Sequence, residues 1–235
     1  MVTDADLTKH VFTYGVAWAV GLGSVNYAVR MRAKRTPSSG LARQVEGGCF
    51  NMKVYSYVVS LLGQVIVQPL FWLAAWRNRN KEIEWWYGAQ CQIDTAGYMG
   101  YCFGYFVQDL VLHYEGNSAM IVGHHIVSAA GCFALCFASS WRGVLLTTAE
   151  TMEVGSAAVA LGDLEYLPRP AGYLSAILTS VVPIVWTSIG FAFEAPRDFC
   201  GWFCAVGGVL VAGIRTKENW QLLKASLIVE KQRRL

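Results

Sequence analysis

The sequence predicts an all-α, polytopic transmembrane helical bundle of about seven spans. Three observations support this: an apolar composition, apolar stretches that recur at bilayer-spanning length, and a one-sided distribution of Lys and Arg. Of the 235 residues, 54% are hydrophobic and only 15% are charged, against roughly 25% charged in an ordinary soluble domain. The mean hydropathy is +0.36. Nine Trp, eleven Tyr and eleven Phe supply interfacial anchors. A formal charge of +3 is too small for a nucleic-acid binder.

A spanning helix needs about 20 apolar residues. Stretches suited to that role run Val11–Val29, Val54–Trp76, Gly88–Leu112, Ala119–Ser139, Gly143–Leu161, Gly172–Phe193 and Phe199–Ile214. The first follows Lys9 and is too long for a signal-peptide core, so no cleaved leader is expected. The second bears Gln64 and Gln68 as a polar stripe and Pro69, which should kink it. Asp94, Asp109 and His113 belong to the third, and His124 and His125 to the fourth. The fifth is the weakest by hydropathy, because it contains Thr147, Thr148, Glu150 and Glu153. Pro183 should kink the sixth or open a backbone carbonyl. The seventh is short, although helix can continue through Trp220 to Leu223.

Basic residues of short loops collect on the cytoplasmic side. With the N-terminus lumenal, the cytoplasmic segments hold thirteen of the nineteen Lys and Arg, six of them in the first loop and six from Arg215 onward. The two basic clusters must share a side, so an even number of spans separates them and the fifth is retained. The chain divides into an N-terminal span plus basic cytoplasmic loop (1–53), a membrane domain (54–223) and a basic cytoplasmic tail (224–235). The loop Met31–Lys53, with Thr36-Pro37-Ser38-Ser39-Gly40, reads as a flexible connector that sets topology; binding of anionic headgroups is the alternative. No internal repeat is present. The tail Lys231-Gln232-Arg233-Arg234-Leu235 loosely resembles a dibasic retrieval signal, which suggests residence in the endoplasmic reticulum.

Ionisable groups inside a bilayer are costly, face the bundle interior and are functional candidates. Here they concentrate in the third to fifth spans. Asp109 and His113 are four apart on one helix face, and Glu150 and Glu153 three apart on another. His124 and His125 diverge by about 100°, so one can meet a given carboxylate while the other lines the side of a pocket. A neutral imidazole can take a proton or attack an acyl carbon, and a carboxylate on its other nitrogen fixes the tautomer. The candidate catalytic residues are His124, His125, Asp109, Glu150 and Glu153; the alternative is a hydrogen-bond network that only specifies packing. The seven cysteines lack CxxC spacing and read as small core residues, so no metal is expected.

The string Gly104-Tyr105-Phe106-Val107-Gln108-Asp109-Leu110, then His124-His125-Ile126-Val127-Ser128, then Ala149-Glu150-Thr151-Met152-Glu153-Val154-Gly155-Ser156 resembles the TLC-domain family. That family includes ceramide synthases, translocating-chain-associating membrane proteins and smaller TLC-domain proteins of lipid homeostasis. The resemblance covers roughly Val54 to Leu223, with the first span as an addition. His124, His125 and Ile126 match the ceramide-synthase signature, Ser128 stands where Thr is usual, and Arg142-Gly143 echoes its middle with one residue missing. The family's His-Asp pair falls on Glu150-Thr151, and its second Asp on Val154 beside Glu153. The chain is therefore most similar to the small TLC-domain group.

The resemblance implies lipid work in the membrane. One reading is an acyltransferase using acyl-CoA as co-substrate, without a bound cofactor, on a sphingoid base or related lipid. The other is a non-enzymatic lipid-binding, lipid-transfer or membrane-composition protein. A retinal protein is disfavoured because Phe199–Ile214 has no lysine for a Schiff base.

Overall fold

The computed structural model describes residues 4–45, 52–77, 93–113 and 119–233. Among them the regular elements are helical: α1 (Asp4–Arg35), α2 (Val54–Leu62), α3 (Gln68–Arg77), α4 (Ile93–His113), α5 (Ala119–Ala134), α6 (Arg142–Asp163), α7 (Arg169–Phe193) and α8 (Phe199–Arg233). A π turn, Gly63–Val67, joins α2 and α3 into one rod. Pro69, just beyond it, has no N–H to donate, and a widened turn is a known response to such a break in the ladder.

Four described helices are long and apolar enough to cross a membrane: Val54–Ala74, Arg142–Asp163, Arg169–Phe193 and Phe199–Val229. The expected fourth span ends early, at Ala134, and leaves a shorter apolar helix, Val122–Ala134. The seventh is longer than expected. At 1.5 Å per residue α8 measures about 52 Å, well beyond a hydrocarbon core of about 30 Å. The expected third span begins at Gly88, and residues 88–92 lie outside the described residues.

The weakest stretch by hydropathy turns out to be the central helix. In α6, 67% of the spanning window is buried by protein, against 28% in α2–α3, 28% in α7 and 22% in α8. A helix wrapped by other helices needs little lipid-facing surface, so its Thr and Glu residues are tolerated. Small residues bring the neighbours close: a Cβ on Gly172 of α7 would lie 2.7 Å from the Ala158 carbonyl oxygen. On the other flank α1 packs along α4, where a Cβ on Gly100 would meet Tyr14 Cβ at 2.7 Å and one on Gly104 would meet Ala19 N at 2.9 Å. Trp18 of α1 sits edge-on to Phe71 and Tyr101, with centroids 5.8 and 5.0 Å away. Leu7, Val11 and Leu22 of α1 thus share one core with Tyr98, Tyr101 and Trp141.

Pro183 lies fully buried inside an uninterrupted α7. The described residues of the first loop fold back on themselves. A 3-10 turn at Pro37–Ser39 ends on Gly40 at φ 71°, after which Val45 N–H donates to the Met52 carbonyl (3.0 Å) and Val54 N–H to that of Arg43 (3.1 Å). This fold-back buries Val45 against Tyr57 and Ala160, and Tyr57 Oη–H donates to Asp163 Oδ2 at 2.8 Å.

The opposite end of α6 is tied as firmly. Buried Arg142 caps α5, donating from Nε to the Leu135 carbonyl (3.0 Å) and from Nη2 to that of Cys136 (2.9 Å). Trp141 Nε1–H donates to the Glu194 carbonyl at 2.9 Å, Arg197 N–H to Ser140 Oγ at 3.0 Å, and Ser139 donates to the Asp198 carboxylate. The α5–α6 and α7–α8 connections therefore form one cluster, while the α1–α2 and α6–α7 connections form another at the far end.

Candidate functional site

A cavity of about 600 Å³ opens among α2, α4, α5, α6 and α8. Its polar wall combines Asp109 and Tyr105 of α4, His124 and His125 of α5, Glu153 and Ser156 of α6, and Arg215 of α8. Phe203, Val206, Leu210, Val211 and Ile214 of α8 line the apolar side, with Val127 of α5. A smaller space of about 100 Å³ continues past His124 and Phe106 to Cys102, Cys132 and Cys204.

The centre of the polar wall is a His/acid pair. Asp109 comes down one face of α4, and His125 faces it from α5 with Nδ1 3.1 Å from Asp109 Oδ2. His125 is only 8% exposed. His124, about 100° round the helix, turns along the wall; its Nδ1 lies 3.5 Å from Ser128 Oγ. Phe106, one turn before Asp109 on α4, packs against both imidazoles with centroids 5.9 Å and 5.5 Å away. An aromatic plate behind two rings limits their rotation, and Nδ1 is the ring nitrogen that His125 turns toward the carboxylate.

Glu153 lines the same cavity and accepts a hydrogen bond from Gln64 Nε2 at 2.8 Å. Gln64 is delivered by the π turn, whose wider loop sets it on the cavity side of the rod while Gln68 turns toward Cys102 Sγ (3.6 Å) in the smaller space. Tyr105 Oη and Ser60 Oγ bridge α4 and α2 at 2.8 Å.

Of the sequence candidates, the fold brings His124, His125, Asp109 and Glu153 to one cavity. Glu150 is not among them: it lines neither space and instead accepts a hydrogen bond from Tyr98 Oη at 3.0 Å. It is only three positions from Glu153, but that rotation is enough to send it toward α4. Asp94 and His113 lie on α4, and their side chains are outside the described residues, as are Cys49 and Cys91. Five free cysteines, Cys102, Cys132, Cys136, Cys200 and Cys204, sit in or beside the core.

One cavity-lining residue was not among the sequence candidates. Arg215 counted there as the first cation of the tail, yet it lines the cavity, with Nη1 donating to Ser156 Oγ (2.9 Å) and Nη2 to the Met152 carbonyl (2.8 Å). The signal was available: apolar residues resume beyond it at Trp220, Leu222 and Leu223, so the arginine lies mid-helix. No family model, curated protein or solved structure matches the chain.

Proposed function

We propose that the chain is a seven-span membrane protein of lipid homeostasis that acts on or binds lipid in the His/acid cavity, in the manner of the small TLC-domain proteins it resembles. The single observation behind this reading is a buried His125–Asp109 pair on the wall of a cavity polar on one side and apolar on the other. An amphipathic ligand satisfies both sides at once, and water or a simple ion satisfies only one.

As an acyltransferase, the site would work by base catalysis. The imidazole of His125, oriented by Asp109, takes the proton of a lipid amine as the nitrogen attacks the thioester carbonyl of acyl-CoA. The C–N bond forms, the C–S bond breaks, and the proton leaves with the thiolate. Sphingoid bases supply such an amine. Incubating purified protein with long-chain base and acyl-CoA, with product detected by mass spectrometry, tests this reading; N-acylated product is expected.

The second reading, a non-enzymatic lipid binder or transfer protein, is favoured by the position of Glu150. The acid at the family's His-Asp position faces Tyr98 and not the cavity. Absence of product, with lipid still bound, assigns the protein to this class.

The seven-span arrangement adds α1, α4 and α5 to the four apolar helices. Two features support it. The α1–α2 and α6–α7 connections meet at one end and the α5–α6 and α7–α8 connections at the other, as alternating spans require. The basic clusters after α1 and on α8 then share the cytoplasmic side, with a lumenal N-terminus. Residence in the endoplasmic reticulum rests on the tail; imaging a variant with Lys231 and Arg233 changed to Ser tests it, with loss of reticular retention expected.

A further inference from the structure

We propose that the seam between α5 and α8 is a lateral entrance through which a lipid chain passes from the bilayer into the cavity, and that the smaller space beyond His124 receives the end of that chain. The proposal rests on the lipid-cavity reading and deepens it, naming the bilayer as the source of the ligand and the two helices that admit it.

The first observation is a set of residues that face inward and outward at once. Phe203, Val206, Leu210 and Ile214 recur at helical spacing along α8 and line the cavity. Leu210 is nevertheless 61% exposed and Ile214 50%. A side chain that lines a cavity and is also half open to the outside marks a gap in the wall. Across the seam, Val127 of α5 combines lining and exposure in the same way. All the α8 positions fall within the apolar stretch Phe199–Val229. The medium outside the gap is therefore hydrocarbon, and an acyl chain can enter from it without crossing water.

The second observation is the shape of the seam. Cys204 Sγ–H donates to the Gly131 carbonyl at 3.6 Å, and a Cβ on Gly207 would lie 3.9 Å from Val127 Cγ1. The two helices thus run antiparallel and touch toward the α5–α6 and α7–α8 connections. One turn farther along α5 the contact is lost: a Cβ on Gly123, which also lines the cavity, would meet nothing within 4 Å. Gly100 at the α1–α4 seam and Gly172 at the α6–α7 seam behave oppositely, since a Cβ on either would meet its neighbour at 2.7 Å. Helices that touch at one end and part toward the other leave a wedge. Its open part lies between Gly123 and Leu210, directly before the histidine pair.

The third observation is what lies at the two ends of the path. Past His124 and Phe106 the smaller space ends among Cys102, Cys132, Leu145 and Leu146, an apolar terminus for a chain. On the polar side, Gln64 Oε1 and Asn219 Oδ1 have no hydrogen-bond partner, although each residue is only 6% exposed. The amide nitrogens are committed, to Glu153 and to the Arg215 carbonyl, which fixes both oxygens as the open acceptors. A buried acceptor left unmatched is unfavourable. The head of the entering lipid therefore brings O–H or N–H donors.

The test uses purified full-length protein in phosphatidylcholine vesicles and a monoacylglycerol that carries a diazirine at its chain end. The sample is irradiated at successive times after mixing, and crosslinked peptides are mapped by mass spectrometry. Label on Cys102 or Leu146, both buried, reports a chain inside the bundle; label on Leu178, exposed on α7, reports lipid at the outer surface. Leu210→Trp adds bulk at the rim and should slow the appearance of interior label by about tenfold. Leu210→Ala should quicken it, and label on Leu178 should stay the same in both. Opposite effects from one exposed position are not the result of a damaged fold. Ile214→Trp should slow entry as Leu210→Trp does. When the probe is loaded in detergent before reconstitution, interior label should reach the same level in all of these proteins, because the chain space itself is unaltered. Interior label that appears at one rate in every variant places the entrance elsewhere and overturns the proposal, with the lipid cavity still standing. A detergent-loaded level that falls as far as the rate also overturns it, since Leu210 is then part of the binding space and not of its entrance. No interior label in the unaltered protein under either loading overturns the cavity reading as well.

Discussion

On the proposed reading the functional weight of the cavity falls on the pair His125 and Asp109, which meet in the interior. His125→Ala and Asp109→Asn should each lower lipid turnover by about 10²- to 10⁴-fold if the imidazole is a base. Abundance should hardly change, since a polar contact within a membrane averages only about 0.6 kcal/mol and reaches roughly 1.7. Parallel activity and expression measurements decide between a site and a packing network. Glu150 and Glu153 separate sharply under the same assay. Glu150→Gln keeps an acceptor for Tyr98 away from the cavity and should be nearly silent, whereas Glu153→Gln alters the wall. Gln64→Ala is no neutral control, for it strips Glu153 of its amide donor. Trp72→Phe is a better one: it removes the bond from Trp72 Nε1 to Thr147 Oγ1 (3.2 Å) outside the cavity.

Helix packing follows from where small residues fall, and it explains what could be read in advance. Apolar length made α7 and the α2–α3 rod plain, and the concentration of ionisable groups in the third to fifth spans singled out Asp109 and His124-His125 as candidates. What single-chain hydropathy misses is shielding. Buried by its neighbours, α6 could afford Glu150 and Glu153, and the π turn that presents Gln64 depends on Pro69 and the packing around it rather than on any hydropathic signal. Arg215 was counted only as a loop cation for a related reason: a charge inside a protein-lined cavity looks, in a hydropathy profile, like the end of a span. The contact between α1 and α4 offers a direct stability test. Gly104→Ala places a methyl against backbone of α1 and should destabilise by about 1–3 kcal/mol, seen as a lower thermal midpoint in detergent. Gly213→Ala on α8, where a Cβ meets nothing within 4 Å, should instead stabilise by up to about 1 kcal/mol through helix propensity. The reverse order would show that α1 is loosely held.

Across the whole molecule, the two clusters of connections at opposite ends of α6 turn sidedness into a measurable quantity. With 22 residues α6 spans about 33 Å, close to the hydrocarbon thickness, so groups tied to its two ends should lie on opposite faces of the membrane. Ser39 in the α1–α2 loop and Tyr166 in the α6–α7 loop are exposed on one side, joined through the Tyr57–Asp163 contact. Arg197 is exposed on the other, in the cluster that contains Ser139 and Asp198. In a chain whose native cysteines are replaced by Ala, Ser39→Cys and Tyr166→Cys should react with an impermeant maleimide from the cytosol. Arg197→Cys should react only after the membrane is opened. On the proposed orientation, with the positive charges after α1 and along the far part of α8 in the cytosol, a tag after Leu235 should be reachable from the cytosol and one before Met1 should not. Labelling of Ser39→Cys and Arg197→Cys from the same side would mean that α6 does not cross the bilayer. In that case the seven-span arrangement would fall with it, and the sidedness of the His125–Asp109 pair would have to be measured on α4 and α5 themselves.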